Sequence, residues 1–357
     1  MMPVPEHIRT IVPYSPGKPL DELERELGIS GSIKLASNEN PLGPSPRAVA
    51  AVKKTVADVN RYPDGSGYHL TQALAKKYGV EPSRIILGNG SNELIELSVR
   101  AFVQPGDQVV SADPSFVVYR MVTQAAGGAN VVVPCREGRH DLDAMAERIT
   151  PRTRIVFIAN PNNPTGCMNT AAELDRFLGR VPDHVLVAMD EAYCEYVTHA
   201  DYPDTLEQLG QGKNLLVLRT FSKIHGLAGL RIGYGIAAPE VVGTMNRVRQ
   251  PFNTNALAQA GALAALGDYK HVEKSIAMNN EGKKFLCQSF ERLNVTYLPT
   301  EANFVYFETQ RDGRELYDAL LRTGVIIRPM GERHLRVTIG LPEENQRFIT
   351  ELEKILK

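Results

Sequence analysis

Forty lysines and arginines stand against forty-one aspartates and glutamates, so the chain carries a formal charge of only -1. Bulk electrostatics offer nothing to a polyanion, and nucleic acid is not an expected partner. Long apolar runs are also missing. No segment approaches the ~18 residues a membrane span needs, and Met1-Met-Pro-Val-Pro-Glu-His-Ile-Arg9 lacks a continuous apolar stretch of secretory type. A soluble, cytoplasmic protein without membrane association is expected. Cysteine is sparse: Cys135, Cys167, Cys194 and Cys287 lie far apart, with no Cys-x-x-Cys pair and no histidine at ligand spacing. That pattern argues against zinc and against a disulfide framework, and no metal is expected. Internal repeats, low-complexity tracts and an acidic tail are absent as well.

What is present is a chain of 357 residues, 43% hydrophobic, long enough for one large domain and a smaller one. Between residues 84 and 236, seven short runs rich in Val and Ile alternate with helical patterns: Arg84-Ile-Ile-Leu87, Gln108-Val-Val-Ser111, Asn130-Val-Val-Val133, Arg154-Ile-Val-Phe-Ile158, Val185-Leu-Val-Ala188, Leu215-Leu-Val-Leu218 and Arg231-Ile-Gly-Tyr234. Alternation of this kind predicts an α/β fold with a mostly parallel sheet covered on both faces. Ligands then gather at the carboxyl ends of the strands. An N-terminal arm over 1–44, punctuated by Pro and Gly, is expected to join the smaller domain. Residues 45–267 are expected to form the large domain and 268–357 the small α+β domain. Helices are predicted over 256–266 and about 268–292, with strands near 295–298, 303–307 and 335–339.

Unusual residues fall where those strands end. Gly88-Asn-Gly-Ser91 opens an amphipathic helix, so its N–H groups and Ser91 face an anion or simply cap a turn. Asp190 closes an apolar run; its carboxylate, expected to be half-buried, either meets a cation or N–H group or caps the next turn. Its neighbour Glu191 reads as structural or solvated. In the rigid loop Asn160-Pro-Asn-Asn-Pro-Thr-Gly166, Asn163 offers a donor to a phenolate oxygen that Tyr193 can share. Phe116 either stacks on a ring or fills the core. Lys223 sits in a Gly-rich loop near other cations, where partial desolvation makes an amine a nucleophile towards carbonyls. Together these are the parts of a pyridoxal 5'-phosphate site, in which an acidic partner keeps the pyridine ring protonated.

Gly-Asn-Gly-Ser, Asn-Pro-Asn-Asn-Pro-Thr-Gly, Asp-Glu-Ala-Tyr and Ser-Lys-x-x-Gly-Leu-Ala-Gly-Leu-Arg, in this order, resemble the fold-type-I pyridoxal-phosphate-dependent aminotransferases across nearly the whole chain. Pro13-Tyr-Ser-Pro-Gly-Lys-Pro19, Lys34-Leu-Ala-Ser-Asn-Glu-Asn-Pro-Leu-Gly43 and Arg61-Tyr-Pro-Asp-Gly65 are similar to the histidinol-phosphate aminotransferase branch. The resemblance implies a large domain with a seven-stranded, mostly parallel sheet beside a smaller α+β domain. It assigns Lys223 to the Schiff base and to proton transfer, Asp190 to the pyridine nitrogen, and Asn163 with Tyr193 to the ring oxygen. Gly90, Ser91, Thr220, Ser222 and Arg231 are assigned to the phosphate. Arg336, a planar fork suited to carboxylates, is joined by Tyr14 and Arg328 in receiving the substrate's acidic group, although Arg328 and Arg333 can equally be read as surface arginines. Tyr62 is implied to reach the neighbouring subunit's site in a homodimer, with the arm over 1–44 contributing to the dimer interface. The implied reaction exchanges an amino group between L-histidinol phosphate and 2-oxoglutarate in histidine biosynthesis. Because Arg328-Pro-Met330 is shared with relatives of aromatic preference, an aromatic amino-acid aminotransferase is the near alternative. A decarboxylase of phosphorylated amino acids and a noncatalytic sensor are the remote ones.

Overall fold

The seven Val- and Ile-rich runs become one sheet in the computed structural model, which describes residues 2–357. The first strand of the chain, β1 (Ile33–Lys34), lies in the arm. The sheet follows as β2 (Ile85–Gly88), β3 (Gln108–Asp113), β4 (Ala129–Pro134), β5 (Thr153–Ala159), β6 (Leu186–Asp190), β7 (Leu215–Thr220) and β8 (Gly233–Ala237). Its order is β2-β8-β7-β6-β5-β3-β4, with β8 alone running antiparallel to its neighbours. The carboxyl ends of β2, β5, β6 and β7 therefore share one edge.

Period-two alternation explains why the central strands are apolar throughout. Val156, Ile158, Val187, Met189 and Val217 enter the core on one face, while Ile155, Phe157, Leu186, Ala188, Leu216 and Leu218 enter the core on the other. Helices cover both layers. Ala256–Leu266, nearly all small and apolar, starts where Asn255 accepts a hydrogen bond from the Ala258 N–H at 2.8 Å. Ala171–Leu178 begins with a reciprocal capping box between Thr170 and Glu173.

A second sheet is antiparallel, in the order β12 (Arg328–Pro329), β13 (His334–Thr338), β10 (Phe304–Glu308), β9 (Thr296–Tyr297), while β11 (Val325–Ile326) pairs in parallel with β1. One face of this sheet, with Val305, Phe307, Leu335 and Val337, packs with Phe290 of the helix Tyr269–Arg292 and Phe348 of the helix Pro342–Leu356. Leu23, Leu35 and Ala36 of the arm complete that core. The opposite face, with Phe304 and Arg336, looks into the crevice at the carboxyl edge of the large sheet.

Boundaries differ slightly from those read off the sequence. Most strands start within a residue of the expected position and run one or two residues further, but β8 starts at Gly233 rather than Arg231, because Arg231 takes a left-handed conformation (φ 58°) that a strand cannot contain. The same loop meets the arm backbone to backbone. Gly226 (φ +67°) is three residues beyond Lys223, and a Cβ there would collide with the Gly43 carbonyl. Gly226→Ala combines left-handed strain with overpacking against rigid main chain, so we expect it to destabilise the fold by roughly 2–5 kcal/mol. Urea unfolding followed by circular dichroism measures this, and an unchanged midpoint would mean that the arm does not bear on the loop.

Candidate active site

Four loops meet at the shared edge around a cavity of about 230 Å3. Its walls include Ser91, Phe116, Asn163, Asp190, Tyr193, Thr220, Ser222, Lys223 and Arg231, all singled out in the sequence. Gly90 adjoins this wall as the residue before the helix Ser91–Phe102. No side chain caps that helix, so its first N–H groups are left for an anion. A Cβ at Gly90 would collide with the Arg231 guanidinium, and one at Gly233 would lie 2.5 Å from the Ser91 nitrogen. Only bare backbone lets these groups approach, and Arg231 keeps its left-handed strain to stand there, with Nη1 3.4 Å from the Ser222 hydroxyl.

Asp190 is the last residue of β6 and only 6% exposed, more deeply buried than its sequence position suggested. It accepts hydrogen bonds from the Tyr119 hydroxyl (2.7 Å) and the Ala192 N–H (3.2 Å). Burial pushes its pKa up, and the two hydrogen bonds pull it back. Glu191 is not solvated. It is buried in an ion pair with Arg219 at 2.8 Å, which fastens the ends of β6 and β7 together.

Lys223 follows β7 and points its amine into the cavity, where Nζ donates to the Ser37 carbonyl at 3.1 Å. Its pKa falls to about 8, chiefly through burial and then through the positive charge of Arg336, with Glu39 and Asp190 opposing. At pH 7 roughly a tenth of such amines are unprotonated, against roughly 3 in 10,000 at the ordinary value.

In the Asn160–Gly166 loop, most asparagines serve the loop itself. Asn160 exchanges hydrogen bonds with the Asn169 backbone (2.8 and 3.0 Å), and Asn162 bonds Thr165 and the Pro114 carbonyl. Asn163 faces the cavity instead, with its Oδ1 accepting from Arg336, which leaves Nδ2 as the available donor. Tyr193 is buried, held at about pKa 12 chiefly by desolvation, and its hydroxyl accepts from the Asn38 amide at 2.9 Å.

Four sequence candidates lie outside the cavity wall. Arg336 is buried behind Asn163, donates to the Ala36 carbonyl at 2.7 Å, and leaves Nε without a partner. Burial lowers its pKa to about 10. Arg328 sits directly opposite Arg336 in the β12–β13 register, which puts both guanidinium groups on one face of the sheet. It is 5.4 Å from the Tyr14 ring and bonds the Ser15 carbonyl. Tyr62 reaches no part of its own chain's cavity; it is 84% exposed and stacks on Phe252 at 4.7 Å.

Several wall residues escaped the sequence reading: Ser37, Glu39, Asn92, Tyr119 and Ala192, together with Asn38 behind Tyr193. The arm residues lie within Lys34–Gly43, a motif visible in the sequence, but they meet Lys223 and Tyr193 across 155 to 186 residues of chain, which no local pattern encodes.

Residues 30–352 match the family model described as aminotransferase class I and II. The chain is 52% identical to the histidinol-phosphate aminotransferase of Moorella thermoacetica over 98% of its length and 92% of that protein. It is 50% identical to histidinol-phosphate aminotransferase 2 of Pseudomonas fluorescens, covering 98% and 96% of the two chains. Among solved structures, that of the Sinorhizobium meliloti histidinol-phosphate aminotransferase in complex with pyridoxal-5'-phosphate superposes with a TM-score of 0.90 at 28% identity, covering 98% of this chain and 96% of the other.

The desolvated amine makes a direct prediction. Competitive acetylation with trace acetic anhydride, read by peptide mass spectrometry on protein freed of small molecules, should label Lys223 with a midpoint near pH 8. A midpoint at the pH of the exposed lysines would show that its charge is fully solvated.

Proposed function

The chain belongs to the class I and II aminotransferases, and from that membership we propose that it transfers an amino group between L-histidinol phosphate and 2-oxoglutarate, yielding imidazole-acetol phosphate and glutamate for histidine biosynthesis. Pyridoxal 5'-phosphate is the cofactor of this reading, and the residues present suit it. The uncapped helix start at Ser91, the close approach of Arg231 to bare backbone at Gly90, and the hydroxyls of Thr220 and Ser222 form a cradle for its phosphate. Asp190 supplies a buried carboxylate for the ring nitrogen, and Asn163 and Tyr193 supply polar groups for the ring oxygen. When bound, the group provides an aldehyde for amine exchange and an electron sink for the substrate Cα.

The rest is done by the chain's own side chains. Lys223 would hold the cofactor covalently through Nζ, and the same nitrogen, once freed by the incoming substrate amine, would take a proton from the substrate Cα and return it to an adjacent carbon, a role that its pKa near 8 suits. Tyr193, protonated throughout that range, holds a hydrogen-bonding hydroxyl in place. Phe116 forms an apolar wall over the ring.

Arg328 and Arg336 carry the substrate reading. Two guanidinium groups facing each other across adjacent strands repel, and a phosphate dianion placed between them reverses that repulsion while meeting the unpartnered Nε of Arg336. The carboxylate of glutamate uses the same fork in the other half of the cycle. With purified, cofactor-loaded protein, histidinol phosphate should bleach the lysine-bound chromophore at far lower concentration than tyrosine or phenylalanine. Arg328→Ala should raise the concentration of histidinol phosphate required by roughly 10- to 100-fold and affect tyrosine much less. An equal response to all three amines points to a broad aromatic aminotransferase.

A homodimer is part of the same reading. Val56, Val59, Tyr62 and Tyr68 follow one another along a single segment, each at least half exposed, and the Phe252 beneath Tyr62 is 47% exposed. In this reading Tyr62 crosses to the partner's phosphate cradle. Sedimentation equilibrium should return twice the 39.3 kDa chain mass; a monomer that still turns over would remove Tyr62 from the site.

A further inference from the structure

Tyr119 lies in the short helix Val118–Ala125, is 1% exposed, and borders the cavity. Its hydroxyl is 2.7 Å from Asp190 Oδ2, while the other carboxylate oxygen accepts from the Ala192 N–H at 3.2 Å. Burial and the Asp190 charge raise the phenol's pKa well above its ordinary value, so the hydroxyl keeps its proton and donates at every working pH. The ring has little freedom. It stacks on Phe157, inside β5, at 4.6 Å and 5° between planes, and Phe116 meets it edge-on at 5.6 Å and 85°. The hydroxyl's position is thus set by the sheet rather than by a loop. Asp190 is otherwise surrounded by Lys223 from the loop after β7 and by Glu191 and Tyr193 from its own loop. Lys223 is the nearby cation among them, and its role in the proposed reaction requires it to exchange its proton.

We propose that Tyr119 is a positioning residue that holds the Asp190 carboxylate ionised and oriented for the ring nitrogen of a pyridine cofactor, while fixing Phe116 beside the face of that ring. The inference rests on the pyridoxal phosphate reading above. A carboxylate deprived of water is ionised only while donors hold it, and a neutral phenol is a donor that never competes for the charge. Removing that donor lets Asp190 protonate more readily. Because the carboxylate must be ionised to pair with the ring N–H, the loss of cofactor binding on acidification should then begin at a higher pH.

The test compares two ligands in wild type and Tyr119→Phe, which keeps the ring and removes only the hydroxyl. Pyridoxal phosphate has the ring nitrogen; its 1-deaza analogue has C–H in that place. Equilibrium dialysis should show pyridoxal phosphate weakened roughly 10- to 100-fold by the substitution, with the acid limb of binding moved to higher pH and the analogue's affinity almost unchanged. Equal weakening of both ligands would mean a packing defect, and no weakening of pyridoxal phosphate would mean that Ala192 suffices; either overturns the proposal. Should Tyr119→Phe not accumulate as folded protein, trifluorotyrosine installed at position 119 keeps the shape while acidifying the hydroxyl. The acid limb should then move to lower pH, and an unmoved limb overturns the proposal. Failure of wild type to bind pyridoxal phosphate at all would overturn the cofactor reading beneath it.

Discussion

A carboxylate at the end of a buried parallel strand is the constraint from which the site follows. β6 delivers Asp190 into a region that excludes water, where an unpaired charge is costly. The surrounding strands respond. β5 supports the phenol that donates to Asp190, the loop after β7 brings the Lys223 amine, and the Glu191–Arg219 ion pair keeps the adjacent acid from adding a free negative charge. Burial acts in opposite senses on the two principal groups: it makes Asp190 harder to ionise and Lys223 easier to deprotonate. A cavity with a reluctant anion and a reluctant cation is disposed to accept a ligand with a protonated ring nitrogen and an aldehyde.

The central sheet was legible in the sequence because its signal is local. Runs such as Arg154-Ile-Val-Phe-Ile158 have no polar face, and a strand without a polar face is covered on both sides. The carboxyl-end loops were legible because they interrupt those runs with Gly, Asn and Asp. Tyr119 was not, since nothing in Val117-Val-Tyr-Arg120 separates a structural phenol from one hydrogen-bonded to the cavity's acid. Arg328 and Arg336 were identified by resemblance, but the fact that they are strand partners follows from a pairing register that eight residues of separation do not fix. Of the two readings open for Glu191, structural or solvated, the structural one holds, and the sequence could not choose because the partner Arg219 is contributed by a neighbouring strand 28 residues away.

Three successive arm residues each touch a different part of the site. Ala36 accepts from Arg336, Ser37 accepts from Lys223, and Asn38 donates to Tyr193. Upstream, Lys34 is paired with Ile326 in the two-stranded β1–β11 sheet, and downstream Asn40 bonds the Ile224 carbonyl and Ser275. The arm therefore bridges the two halves of the molecule across the crevice. Because Ala36 and Ser37 are adjacent, the Arg336 guanidinium and the Lys223 amine are tied to neighbouring carbonyls of one segment, and the placement of either carbonyl constrains the other.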